Sequence, residues 1–181
     1  AVNGAFEVLS DKMTYGHFML VTDCDTDVSH VKGSGTGHTA RDLGHYNIYT
    51  AHTWLEEAWG LYYAGIDRVN RIMKNADRVD LPDEASRQTF NRLIAEAKFL
   101  RAICYFDLVR MWGDVPFKLT ASDKTENFAV EKTDREVVYN QIIKDFEEAA
   151  DNLPWQDEVS SYEGRPTKGA ALGLLARTYL Y

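Results

Sequence analysis

"EAKFLRAICYFDLVRMWGDVPF" (residues 96–117) decides the fold. The stretch is long, apolar and free of β-strand alternation, and it stops at Gly-Asp-Val-Pro. At 100° per residue, Phe90, Leu93, Ala97, Leu100, Cys104, Leu108 and Met111 fall on one side of a helix. Phe99, Ala102, Phe106 and Val109 fall on another. Between them runs a charged stripe of Arg92, Glu96, Asp107 and Arg110. Arg92–Glu96 and Asp107–Arg110 have the spacing of intrahelical ion pairs. A helix with two apolar faces needs neighbours on both, so this is the inner helix of a stack of helical hairpins.

Working outward, four further helices are legible. One covers roughly residues 3–12. A second runs from Thr53 to Ala76, with capping-box spacing at Thr53 and Glu56. Its Trp59, Tyr62, Ile66, Val69 and Met73 recur at steps of three and four. The inner helix starts near "DLPDEA" and ends at Gly113. The fourth opens at Thr133 and Glu136, another capping box, and carries Val138, Ile142, Phe146, Ala149 and Leu153 before Pro154 ends it. The fifth opens at "RPTKGAA" and runs to Tyr181. Only "GHFMLVTD" (16–23) hints at a strand. The fold class is all-α.

An internal echo supports stacked hairpins. Ala97, Leu100, Ala102 and Tyr105 match Ala171, Leu174, Ala176 and Tyr179 at one constant offset of 74 residues. Leu175, Ala176 and Tyr179 also fit the Leu, small-residue and Tyr positions of the tetratricopeptide (TPR) signature, whose usual period is about 34 residues. Two long loops, 113–132 and 154–166, stretch the period here.

Composition narrows the function classes. The 181 residues carry a net charge of -8 and no long run of Lys or Arg, which excludes a nucleic-acid surface. No run of about 18 apolar residues exists, so no membrane-spanning helix is expected. The N-terminus lacks a signal-peptide layout. The chain is either cytosolic or one whose export signal has been removed. Cys24 and Cys104 are far apart and read as free thiols, Cys104 packing as a small hydrophobe.

Several motifs invite chemistry. Asp23, Asp25 and Asp27 alternate like the front of an EF-hand loop, but its sixth and twelfth positions are Val28 and Ser34. A looser calcium site remains open. "KGSGTGHT" (32–39) lacks the Gly-Lys-Ser/Thr ending of a phosphate loop. His38, His45 and His52 are seven apart, which by itself shows no zinc site. No nucleophile turn is present, so no catalytic residue and no cofactor is expected.

The strongest functional feature is the segment 24–50, read as a long loop in a helical chain; such loops usually carry function or are disordered. It leads into "RDLGHYNIYTAHTW" (41–54). Flat rings cover the apolar C–H faces of a pyranose, while amide and guanidinium groups bond its hydroxyls. The candidate ligand-binding residues are Asp25, Arg41, Tyr46, Asn47 and Tyr49. Trp54, beside a helix start, reads as an anchor.

These landmarks resemble the SusD/RagB family. Its Glu-Ala-x-Phe-Leu-Arg-Ala helix, running through Tyr-Phe to Gly-Asp-Val-Pro, is matched by Glu96, Ala97, Phe99, Leu100, Arg101, Ala102, Tyr105, Phe106, Gly113, Asp114, Val115 and Pro116. "GRPTKGAALGLLARTYLY" (164–181) is similar to its second landmark. Trp59, Tyr63, Ile66 and Asn70 fit its Trp-x-x-x-Tyr-x-x-Ile-x-x-x-Asn helix.

The resemblance implies a TPR-like helical scaffold. It implies a non-catalytic, surface-exposed outer-membrane lipoprotein of Bacteroidetes that binds an oligosaccharide or other nutrient. Such a protein passes its ligand to a SusC-like TonB-dependent transporter. Contact with the membrane would be through an N-terminal lipid that this chain lacks. Family members are much longer, so residues 1–181 are expected to be one SusD-like N-terminal domain of a longer chain. Glu96, Arg101, Asp114 and Arg165 read as structural. Two rival readings are a plain TPR scaffold that binds only proteins, and a metal-dependent hydrolase built on the Asp and His cluster.

Overall fold

A computed structural model describes residues 1–16, 26, 39–45, 47–122, 129–158 and 164–181. Its helices are α1 (Val2–Ser10), α2 (Thr39–Gly44), α3 (Thr53–Lys74), α4 (Glu84–Trp112), α5 (Arg135–Asn152) and α6 (Lys168–Thr178). Two short strands, β1 (Val115–Pro116) and β2 (Lys132–Thr133), pair antiparallel, with Val115 opposite Thr133. The all-α reading therefore holds, with one two-stranded addition. Among the described residues no helix is long and apolar enough to cross a membrane. The chain forms two compact units, Phe6–Ala64 and Ala1–Ala5 with Gly65–Tyr181.

In the larger unit α4 is the inner helix. Every residue from Ala95 to Val109 except Lys98 is buried. α4 packs along α5, and α5 along α6. Val138, Ile142, Phe146 and Ala149, the stripe read from sequence, are fully buried. Phe99 meets Phe146 edge to face at 5.8 Å between ring centres. Cys104 is buried, and burial pushes its thiol pKa well up, as expected of a packing residue. Cys24 and the strand hint at 17–23 lie outside the described residues.

The ends of α4 follow the sequence. Asp83 accepts a hydrogen bond from the Ser86 N–H at 2.7 Å, capping the first turn. Gly113 closes the last turn at φ 72°, a conformation that favours glycine. Its N–H donates to the Val109 carbonyl. The Asp114 carboxylate then accepts from the Arg135 N–H at 3.1 Å, tying the turn after α4 to the start of α5.

Four local expectations need correction. The cap of α5 is Asp134, whose carboxylate accepts from the Glu136 N–H, and not Thr133, which sits in β2. The first helical bond of α3 runs from the Glu56 N–H to the His52 carbonyl, so His52 precedes the helix and Thr53 is inside it. The region read as a 24–50 loop contains α2. α6 ends at Thr178, and residues 179–181 continue as single turns.

The internal echo is real in sequence but unequal in packing. Ala97, Leu100, Ala102 and Tyr105 are fully buried, whereas of the second set only Ala171 is. Ala176 and Tyr179 are exposed. The reason is position. α4 packs along α5 with nearly all of residues 95–109 buried, and α6 packs on α5 with much of its surface left exposed.

In the smaller unit Val8, Leu43, Ala58 and Tyr62 are buried. After α1 a π-helical turn, Lys12–Gly16, buries Met13 and Thr14. The Thr14 hydroxyl donates to the Val8 carbonyl at 2.5 Å, satisfying a buried polar group.

Candidate functional site

Arg41 is carried by α2, which is held down by the buried Leu43. α2 closes with two backbone bonds, His45 N–H to the Arg41 carbonyl at 2.9 Å and Asn47 N–H to the Asp42 carbonyl at 2.8 Å. These bonds bring Arg41 and Asn47 to the two ends of one tight turn. Arg41 is half-buried, and Asn47 is exposed.

From Asn47 to Ala51 the chain runs along the surface. Tyr49 is 48% exposed, and its ring centre lies 5.5 Å from that of His52. The backbone N–H of His52 donates to the Tyr49 carbonyl. The His52 side chain is buried. Tyr49 is thus a presented ring with a fixed backing, held against the residue that starts α3.

Of the five candidates, the structure brings Arg41, Asn47 and Tyr49 onto one short segment. Asp25 and Tyr46 lie outside the described residues. His52 was legible only as one of three evenly spaced histidines; burial makes it support for Tyr49. Trp54 is half-buried, in keeping with an anchor. Among the described residues no group of three or more His, Cys, Asp or Glu side chains gathers as metal ligands.

The landmark charges lie elsewhere and do structural work. Arg101 reaches Asp145 of α5 with two parallel bonds, Nε to Oδ2 at 2.7 Å and Nη2 to Oδ1 at 2.8 Å. Its Nη1 donates to the Asn70 side chain of α3 at 3.0 Å. Asn70 in turn donates to the carbonyls of Lys118 and Thr120. The Tyr105 hydroxyl donates to the Lys118 carbonyl and accepts from its N–H, both at 2.8 Å. Burial pushes the Tyr105 pKa up to about 12, so it stays a hydroxyl. One guanidinium therefore joins α3, α4 and α5 and, through Asn70, the segment after β1.

Glu96 is almost fully buried and pairs with Arg165 at 2.5 Å. Burial raises its pKa, outweighing the attraction of Arg165 and Arg92. Arg165 also donates to the Asn3 side chain at 2.7 Å. The pairings with Asn70, Asp145 and Asn3 were not legible, because hydrogen bonds to residues far along the chain leave no periodic trace.

With this geometry in hand, known proteins supply context. The SusD-like family model described as "Starch-binding associating with outer membrane" matches residues 3–180. The SusD-like protein P2 of Formosa agariphila is 28% identical over 99% of this chain and 35% of its own length. A SusD homologue of Bacteroides thetaiotaomicron, known as a crystal structure, superposes with a TM-score of 0.86 at 29% identity, covering 98% of this chain and 34% of that one. A "Laminarin binding SusD-like protein" superposes with a TM-score of 0.81 at 28% identity, over 99% of this chain and 38% of that one. The chain thus spans about a third of the length of these relatives.

Proposed function

Because the chain belongs to the SusD-like family, we propose that it is the ligand-capturing part of a non-catalytic glycan-uptake protein on the outer face of the outer membrane. The observation that carries the reading is the match over residues 3–180 to a family described as starch-binding and outer-membrane-associated. The laminarin-binding relative supports a glucan as the ligand class.

The proposed contact surface is the 41–49 segment. The half-exposed Tyr49 ring, backed by His52, takes an apolar sugar face. Asn47 offers two donors and an acceptor, and Arg41 offers a fork of donors, for the hydroxyls around it. Asp25 and Tyr46 complete the proposed set. No step of bond breaking is needed. Sugar binds and leaves by exchanging hydrogen bonds with water, and a SusC-like TonB-dependent transporter receives it. The membrane is reached through an N-terminal lipid outside these residues.

Calorimetry with malto-oligosaccharides and laminari-oligosaccharides tests the reading. Tyr49→Ala and Asn47→Ala are each expected to weaken binding about tenfold, equivalent to about 1.4 kcal/mol, with the thermal midpoint unchanged. Unaltered affinity in both would remove the segment from the site. Co-purification of the protein with a TonB-dependent transporter from outer membranes checks the partner.

A further inference from the structure

A second cleft lies in the larger unit. Its volume is about 470 Å³, within the range of small-molecule sites. Gln88 and Arg92 of α4, Asp151 and Asn152 at the end of α5, and Glu158 in the turn that follows all line it. Amide, carboxylate and guanidinium groups therefore predominate. Each is planar and able to bond two vicinal hydroxyls at once. Another cleft of this unit, lined by Ile72, Val79, Phe90, Leu93 and Ile94 among others, has the opposite, apolar character.

Trp155 directly follows the lining residue Pro154, and its backbone bonds to the lining residue Glu158. The indole is 45% exposed. Its backbone is pinned. The Trp155 backbone N–H donates to the Glu158 carboxylate at 2.8 Å, and the Lys168 backbone N–H donates to the Pro154 carbonyl at 2.8 Å. The ring lies against Gly169, where an added Cβ would sit 3.6 Å from it, and Lys168 Nζ lies 5.9 Å from its centre. A large apolar ring that stays 45% exposed while packed on Gly169 leaves apolar surface available to a ligand. It matches the needs of a pyranose, which has apolar C–H faces and a polar edge. The opposed charges at the cleft, Arg92 against Asp151 and Glu158, suit a sugar without a strong charge of its own.

We propose that this cleft, with the adjoining Trp155, is a second carbohydrate-binding site, separate in sequence from the Tyr49 segment. A pyranose stacks on the indole, and its hydroxyls bond Gln88, Asp151 and Asn152. The proposal shares with the preceding section the premise that the ligand is a glycan. Two sites per chain would let one protein hold two sugar units at once without tighter single contacts.

The test uses malto-oligosaccharides and laminari-oligosaccharides as probes. Binding stoichiometry is read by calorimetry, and the Trp155 indole N–H is followed by NMR after assignment with Trp155→Phe. Two sugars per chain are expected, falling to one in Trp155→Ala and likewise in Tyr49→Ala. The Trp155 resonance should shift on titration, also in Tyr49→Ala. Gln88→Ala, a change at an exposed helix position, should weaken the Trp155-linked event about tenfold without touching the ring. A single site lost in Tyr49→Ala, with the Trp155 resonance stationary, overturns the second site and leaves the first. A single site lost in Trp155→Ala alone keeps the cleft and removes the Tyr49 segment. No binding of either probe to the unmutated protein overturns both.

Discussion

Residues 96–118 and residues 41–51 both combine charged and tyrosine side chains, yet the fold treats them in opposite ways. In the first, Glu96, Arg101, Tyr105 and Asp107 are buried inside a helix stack. Arg101, Tyr105 and Glu96 each reach a partner on another segment. In the second, Asn47 and Tyr49 face water, and the contacts that hold them are backbone turns and one ring. Burying a charge is tolerable only when it is paired and bonded, so the first region has almost no freedom to vary. The second can change its side chains at small cost in stability. The recognisable landmarks are accordingly scaffold, and the proposed ligand contacts fall on residues with no fixed pattern.

The sharpest way to break this contrast is Arg101→Met. It strands the Asp145 carboxylate in the core, and the loss is expected to be about 3–5 kcal/mol by urea unfolding. Adding Asp145→Leu should recover much of it, since an apolar pair of similar volume avoids the unpaired charge. A mild effect of Arg101→Met alone would mean that water reaches the pair. Tyr105→Phe keeps the packing but leaves the Lys118 N–H without its acceptor, an expected loss of about 1–3 kcal/mol.

Asp67 provides an intermediate case. Burial works against its charge, but the Ser122 N–H at 2.8 Å and Arg71 at 2.6 Å hold its pKa below the ordinary 3.8. The folded state therefore binds fewer protons than the unfolded one in that window. The stabilisation is present above the ordinary value and is lost as pH falls through it towards the lowered one. Because Arg71 is well exposed, the contribution is under about 1 kcal/mol. In acid titrations of stability, Asp67→Asn should differ from the parent at neutral pH and converge with it near the bottom of that window. Smallest of all is Tyr49→Ala, expected to move stability by no more than about 0.5 kcal/mol while weakening sugar binding. A large drop in its melting temperature would place Tyr49 with the scaffold and erase the contrast.

How much could be read beforehand follows the same division. The stripes of α3 and α5, the glycine stop at Gly113 and the ion-pair spacing of Arg92–Glu96 and Asp107–Arg110 are local patterns, and all appear in the structure. α2 escaped notice because six residues beside a glycine-rich stretch contain too few apolar positions to set a period. The α5 cap was misassigned by one residue because Thr133 and Asp134 are both good caps. The local geometry favours Asp134, since Thr133 is committed to pairing with Val115. Arg101 could be read as structural and Asn70 as a landmark, but their pairing, and Asp145 as the third member, could not be read, the partners lying 31 and 44 residues away. For the site, residue type alone suggested Tyr49 and Asn47; exposure, which makes them usable, required the folded surface. Trp155 carried no signal beyond its identity, because its cleft joins α4 to residues far along the chain.

The Arg165 fork also bears on the order in which the chain can fold. One guanidinium bonds Glu96 and Asn3, the latter across 162 residues of sequence. The α4–α5 pairing closes over a much shorter loop and can form early, while ties of such long span carry the full entropy of loop closure and come late. During synthesis Asn3 emerges first and must wait for almost the whole of this stretch before its partner arrives. The Asn3 tie is therefore made late, as a latch added to a scaffold already built, whereas the Gly4 carbonyl beside it can accept from Arg68 across only 64 residues.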